Sequence, residues 1–137
     1  MTPAEAAARS GKVVLGVDDQ PENIMMLESI IESQGFTFFG ASSGMECLSL
    51  VQRVNPRLIL LDVQMPEMDG YETCRRLRRM IQFRTMPIAF LTARKEVEDV
   101  KTGIAVGGND FIVKPFDPVK LVNRVVHWTS RRVNADA

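Results

Sequence analysis

Only two of the 137 residues are cysteine and only one is histidine. Cys47 and Cys74 lie far apart and make no C-x-x-C pair. Both fall at apolar positions of predicted helices, so they read as buried, reduced thiols. His127 sits in the last predicted helix with no acid beside it and reads as a structural or surface residue. No apolar run approaches the roughly 18 residues needed to cross a bilayer. There is no excess of charge either: Lys plus Arg equals Asp plus Glu at 17 each, so bulk charge does not favour nucleic acid or an anionic membrane. Met1 to Ser10 lacks an apolar h-region and reads as an N-terminal tail, not a signal peptide. Repeats and low-complexity segments are absent. What remains is the profile of one soluble, cytoplasmic domain, long enough to bury a core.

The most informative stretch is Arg57 to Gly70, where four apolar residues, Leu58 to Leu61, run into Asp62. Such a run suits a strand covered on both faces, the habit of parallel sheets. Pro66 marks a turn, and Asp69-Gly70 a helix start. The rest of the chain alternates in the same way. Val13 to Val17 is a strand ending in Asp18-Asp19, with Gly16 marking close backbone packing. Pro21 opens a helix whose apolar face is Ile24, Leu27, Ile31 and the neighbouring methionines, stopped near Gly35. Phe36 to Gly40 is a second strand. Ser43 and Glu46 have capping-box spacing for a helix carrying Cys47, Leu50, Val51 and Val54, ended by Pro56.

After Asp69 comes a helix with Cys74, Leu77 and Ile81 inward. Arg75, Arg76, Arg78 and Arg79 form its solvated face. Ile88 to Leu91 is a fourth strand ending at Thr92. Lys95 to Val106 is a helix weakened by Gly103, which costs about 1 kcal/mol against Ala. Phe111 to Val113 is a fifth strand, ending at Lys114-Pro115. Asp117 caps the final helix, whose band of Leu121, Val122, Val125, Val126 and Trp128 is wide enough to suggest a partner or self-association surface. The sum is an α/β domain, a (βα)5 doubly wound parallel sheet of flavodoxin-like order 2-1-3-4-5. It spans residues 11–132, with a C-terminal tail or linker start at 133–137.

Strands one, three, four and five each end in a polar residue: Asp18-Asp19, Asp62, Thr92 and Lys114. A parallel sheet gathers carboxyl ends in one crevice. Three carboxylates there repel unless a cation is present, and oxygen ligands with room for water and phosphate suit Mg²⁺. A lysine ammonium and a threonine hydroxyl complement phosphoryl oxygens. The combination makes chemical sense as a carboxylate nucleophile, Asp62, attacking phosphorus.

These residues resemble a known family. Val-Asp-Asp at 17–19, Leu-Leu-Asp-Val-Gln-Met-Pro-Glu-Met-Asp-Gly at 60–70, Leu-Thr-Ala at 91–93 and Lys-Pro-Phe at 114–116 are similar to the motifs of two-component response-regulator receiver domains of the CheY-like family. The resemblance implies that Asp62 is the phosphoacceptor, taking its phosphoryl group from a phosphohistidine on a histidine kinase or histidine phosphotransfer protein. It implies Mg²⁺ held by Asp18, Asp19, Asp62 and the Gln64 backbone carbonyl, with Asp19 the more direct of the acidic pair. Thr92 and Lys114 would bind the phosphoryl oxygens, and the Lys114–Pro115 bond would be cis. Phe111 matches the switch aromatic. Together with Thr92 it would remodel the face made by helix four, strand five and helix five, for partner binding or homodimerisation. Gln64 and Arg94 flank the site and would tune phosphate lifetime. A haloacid-dehalogenase-like phosphatase is disfavoured, because such sites carry a second Asp where this chain has Gln64. The same motifs occur in stand-alone receivers and in receivers joined to output domains.

Overall fold

The computed structural model describes residues 12–93 and 97–130. Strands and helices alternate throughout: β1 (Val13–Val17), α1 (Pro21–Glu32), β2 (Thr37–Ala41), α2 (Gly44–Val54), β3 (Leu58–Asp62), α3 (Gly70–Arg79), β4 (Ile88–Thr92), α4 (Val97–Ala105), β5 (Asp110–Val113) and α5 (Pro118–Ser130). A short 3-10 turn, Ile81–Phe83, leads from α3 toward β4. All strand pairs are parallel, in the order β2-β1-β3-β4-β5. This is the doubly wound sheet that the alternation of strand and helix patterns predicts.

β1, β3 and β4 are buried at every residue, as central strands covered on both faces must be. Successive side chains feed two separate cores. Leu58, Leu60, Ala89 and Leu91 pack with Leu27 and Ile31 of α1 and Leu121 and Val125 of α5. Leu15, Val17, Ile59, Leu61 and Phe90 pack with Cys47 and Val51 of α2 and Cys74 and Leu77 of α3. Gly16 has no room for a side chain, because a Cβ there would run into the Phe38 ring.

The helix starts follow their sequence signals. Pro21 is in the first turn of α1. Asp69 Oδ1 accepts the Glu72 N–H at 2.8 Å, and Asp117 Oδ1 accepts the Val119 N–H at 3.0 Å. The capping box of α2 is offset by one residue. Ser43 Oγ accepts the Glu46 N–H at 3.1 Å, but Glu46 Oε1 reaches back to the Ser42 N–H at 2.6 Å.

Several expectations needed correction. β2 starts one residue late, because Thr37 pairs with Val13 and its N–H donates to Lys12 O at 2.8 Å. β5 starts one residue early, at Asp110 opposite Ala89. α4 ends at Ala105, one residue before the expected end, and Lys95 and Glu96 lie outside the described residues. Met25 and Met26 are not part of the apolar face. They are 67% and 45% exposed, since they lie off the side of α1 on which Ile24, Leu27 and Ile31 meet the core. Ile81 is 75% exposed because α3 ends at Arg79 and the chain leaves the helical period. The wide band on α5 resolves differently too. Leu121 and Val125 enter the core and Val126 stays exposed, while the Trp128 indole N–H donates to Asp110 Oδ2 at 2.8 Å, tying α5 to β5.

Arg78 is the largest departure. Arg75 and Arg76 do face solvent, paired with Glu72 at 3.2 and 2.9 Å. Arg78 instead turns under the sheet. Its Nε and Nη2 donate to Gly107 O at 3.0 and 2.6 Å, and its Nη1 to Phe83 O and Met86 O at 2.8 and 2.7 Å. Nη2 also donates to Asn109 Oδ1 at 3.0 Å. One guanidinium thus joins the end of α3, the start of β4 and the α4–β5 turn.

Candidate functional site

Register alone brings the polar strand ends together. Val17 pairs with Leu61, so Asp18 and Asp62 are level. Asp62 pairs with Leu91 and Thr92 with Val113, which sets Thr92 and Lys114 each one step further along the crevice. The ladder continues past the strands through Val63 N–H to Leu91 O at 3.1 Å and Lys114 N–H to Thr92 O at 2.8 Å.

Asp18, Asp19 and Asp62 each place a carboxylate oxygen within 4.8 Å of the others. Lys114 Nζ bridges two of them, at 2.9 Å from Asp18 Oδ2 and 3.1 Å from Asp62 Oδ1. Asp62 Oδ1 also accepts the Gln64 N–H at 3.4 Å. Asp18 is wholly buried, and Asp62 and Thr92 nearly so. A cavity of about 140 Å³ opens above them, bordered by Asp19, Gln20, Asp62, Gln64, Thr92 and Lys114. The Lys114–Pro115 bond is cis. Arg94, the second expected tuning residue, lies outside the described residues.

Burial pushes the Asp62 carboxyl up to about 6, and the charge of Asp18 adds to the rise, while Lys114 and the Gln64 N–H work against it. Lys114 loses hydration by burial, but its hydrogen bonds to Asp18 and Asp62 outweigh that and hold its ammonium above the usual lysine range. The Asp62 shift has a sign that can be measured. A carboxyl raised in the folded state favours folding below its ordinary value near 3.8, and that contribution is lost as pH rises through about 6. In EDTA, Asp62→Asn should therefore be more stable than wild type at pH 8, by roughly 2 kcal/mol, with the gap closing toward pH 4. Urea denaturation of both proteins at the two pH values checks this; a gap that widens on acidification contradicts it.

The loop after Asp62 is tightly folded. Met68 N–H donates to Pro66 O at 2.8 Å around Glu67, whose φ is 70°, forming a γ-turn. Non-glycine residues rarely hold this conformation outside functional loops. Gly70 N–H then donates to Val63 O at 2.9 Å, closing the loop at the start of α3.

On the other side of the site, the Phe111 ring is buried, 5.5 Å from the Phe90 ring, which meets Tyr71 edge-on at 5.1 Å. Gly103 of α4 lies against the Phe111 ring, which occupies the space a Cβ would need. That explains a glycine inside a helix, where propensity alone disfavours it. Tyr71 Oη donates to Asp99 O at 3.2 Å, fastening α4 to α3.

Sequence reasoning missed Tyr71, Gly103 as a seat for Phe111, and Asn23, whose Nδ2 donates to Asp18 Oδ2 at 3.2 Å. The only signal for Asn23 is its place in the first turn of the helix that follows the acidic pair.

A family model for the response regulator receiver domain matches residues 14–126. The chain belongs to the response regulator receiver domain family. Its strands, helices and acidic crevice are those of a receiver domain of two-component response regulators. Chemotaxis protein CheY4 of Vibrio cholerae superposes with a TM-score of 0.82 at 32% identity, covering 85% of this chain and 97% of that one. The receiver domain of the Pseudomonas aeruginosa sensor histidine kinase PA1611 superposes with a TM-score of 0.81 at 29% identity, covering 88% and 99%; that structure has a magnesium ion coordinated in its active-site cleft. The alkaline phosphatase synthesis transcriptional regulatory protein PhoP of Bacillus subtilis is 38% identical over 83% of this chain and 47% of its own. The chain spans about half the length of most of the curated relatives it matches. Among the described residues, no helix is long and apolar enough to cross a membrane.

The receiver's three clustered carboxylates form a hard-oxygen donor set of the kind that holds a divalent cation beside phosphate.

Proposed function

We propose that Asp62 is the phosphoacceptor of this receiver and takes its phosphoryl group from a phosphohistidine on a histidine kinase or histidine phosphotransfer protein. The observation that carries this reading is the state of the Asp62 carboxylate. Oδ1 is held by Lys114 and the Gln64 N–H, and Oδ2 has no donor among the described residues. Oδ2 is then the attacking oxygen. It forms the new bond to phosphorus as the P–N bond breaks, and the electron pair stays on the imidazole nitrogen. Lys114, already at hydrogen-bond distance, and the Thr92 hydroxyl at the cavity edge bind the phosphoryl oxygens.

Asp18, Asp19, Asp62 and the Gln64 carbonyl are the residues that would hold Mg²⁺, with Asp19, at the cavity edge, the more direct of the acidic pair. When bound, the ion offsets the negative charge that accumulates where a phosphoryl group meets three carboxylates. Turnover of external phosphoesters is not expected, since Gln64 stands where an aspartyl phosphatase needs a second acid. We take residues 11–132 as the receiver unit, and Phe111 with Thr92 as the link from the phosphorylated site to the α4–β5–α5 face, where a downstream partner or a second copy binds. Gln64, exposed at the cavity edge, and Arg94 tune the lifetime of the phosphorylated state.

Exposure to acetyl phosphate with Mg²⁺, read by intact mass, tests the core of this reading. One phosphoryl group should appear with Mg²⁺ and none with EDTA. Uptake that is indifferent to EDTA would refute the metal-dependent site.

A further inference from the structure

Asp18 is the site carboxylate with no exposed surface, and it does not line the cavity. Its oxygens are occupied by three donors. Oδ1 accepts the Gln20 N–H at 3.0 Å. Oδ2 accepts Lys114 Nζ at 2.9 Å and Asn23 Nδ2 at 3.2 Å. A carboxylate only accepts, so the Asn23 amide must present its NH₂ here. The first turn of α1 fixes that amide, with the Asn23 backbone N–H closing onto Gln20 O at 3.1 Å.

Lys114 divides its ammonium between Asp18 and Asp62. Once a phosphoryl group sits on Asp62, the same ammonium is needed at the phosphoryl oxygens. Leaving a wholly buried carboxylate would strand Oδ2 unless another donor stays behind, and a buried acceptor without a partner is costly. Asn23 is the donor that stays. We infer that Asn23 is a positioning residue: it keeps Asp18 satisfied and oriented while Lys114 moves to the phosphoryl group, and so sets how readily Lys114 is released. This rests on the phosphoacceptor reading of Asp62.

The test is uptake from acetyl phosphate at saturating Mg²⁺, in which Asp62 Oδ2 bonds to phosphorus and acetate leaves with the electron pair. Asn23→Ala should slow uptake about tenfold, the effect of one hydrogen bond to a charged group. Asn23→Ser, which keeps a shorter donor, should recover part of the rate. Because Asp18 is also a proposed Mg²⁺ ligand, Mg²⁺ affinity is followed by titration of amide resonances, and each rate is taken at Mg²⁺ concentrations that saturate that variant. In a Lys114→Ala background, Asn23→Ala should have no further effect, because no ammonium remains to be released.

Wild-type rates in Asn23→Ala overturn the inference. So does equal slowing with and without Lys114, which would mark a merely structural role. A rate loss that vanishes once Mg²⁺ is raised to saturate the variant also overturns it, by placing the effect of Asn23 on the metal. Asp62→Asn run alongside separates the two readings. Uptake that survives in Asp62→Asn refutes the phosphoacceptor itself, whereas uptake lost there but normal in Asn23→Ala refutes only the role of Asn23.

Discussion

Asp62→Asn should take up no phosphoryl group from acetyl phosphate or from a phosphorylated histidine donor, where wild type takes up one. The expectation follows from chemistry and from packing. An amide is a poor nucleophile toward phosphorus, and the other two carboxylates are badly placed to substitute. Asp18 is wholly buried with both oxygens engaged. Asp19 lies at the cavity edge, on the loop that follows β1. The fold should survive the exchange, because Lys114 keeps its 2.9 Å bond to Asp18. Intact mass checks uptake and a thermal melt checks folding. A folded Asp62→Asn protein that still gains a phosphoryl group would move the acceptor elsewhere.

Arg78→Ala should be the most destabilising change on the surface of α3, by about 3–4 kcal/mol. The side chain supplies donors to three backbone carbonyls, of Phe83, Met86 and Gly107, and to Asn109 Oδ1. Asn109 Oδ1 in turn accepts the Ile88 N–H at 2.9 Å, so the first residue of β4 hangs on the same cluster. Lysine is a poor substitute, since an ammonium cannot reproduce a planar fork that reaches acceptors on several segments. Arg78→Lys should lose most of the same stability, whereas Arg75→Ala and Arg76→Ala should leave the urea midpoint near wild type, because their pairs with Glu72 are exposed. Matching midpoints for all three alanine variants would return Arg78 to the solvated face.

That contrast also marks where sequence reading succeeds. Strands β1, β3 and β4 were legible because burial on both faces forces an unbroken apolar run, and the meeting of Asp18, Asp19, Asp62 and Thr92 at their ends followed from the fold's parallel direction. Asp69 and Asp117 were legible as caps because a cap acts within three residues. Arg78 was not, because four arginines in five positions look alike to a helical period. Only the α4–β5 turn, 29 residues on, distinguishes Arg78 from the others. Gly103 and Asn23 were opaque for the same reason. The partner that explains each, the Phe111 ring or the Asp18 carboxylate, is supplied by tertiary structure. The methionines of α1 failed differently: an apolar side chain is permitted outside as well as inside, so hydrophobicity alone does not assign a face.

The two buried thiols allow a further kind of observation. Cys47 on α2 and Cys74 on α3 share one core, and Cys74 Sγ donates to Val106 O at 3.3 Å. Burial pushes Cys47 up to about 12 and Cys74 to about 11, so neither is a thiolate at neutral pH while the domain is closed. An alkylating reagent can therefore modify them only in molecules whose α2–α3 layer has momentarily come apart. The pace of modification, followed by mass, becomes a clock for that opening. Arg78→Ala should quicken the clock at Cys74, one turn before the lost guanidinium, ahead of Cys47. Equal pacing at both thiols would mean that the layer opens as a single unit. The protein thus carries its own pair of reporters for the side of the sheet farthest from α1, without any label being introduced.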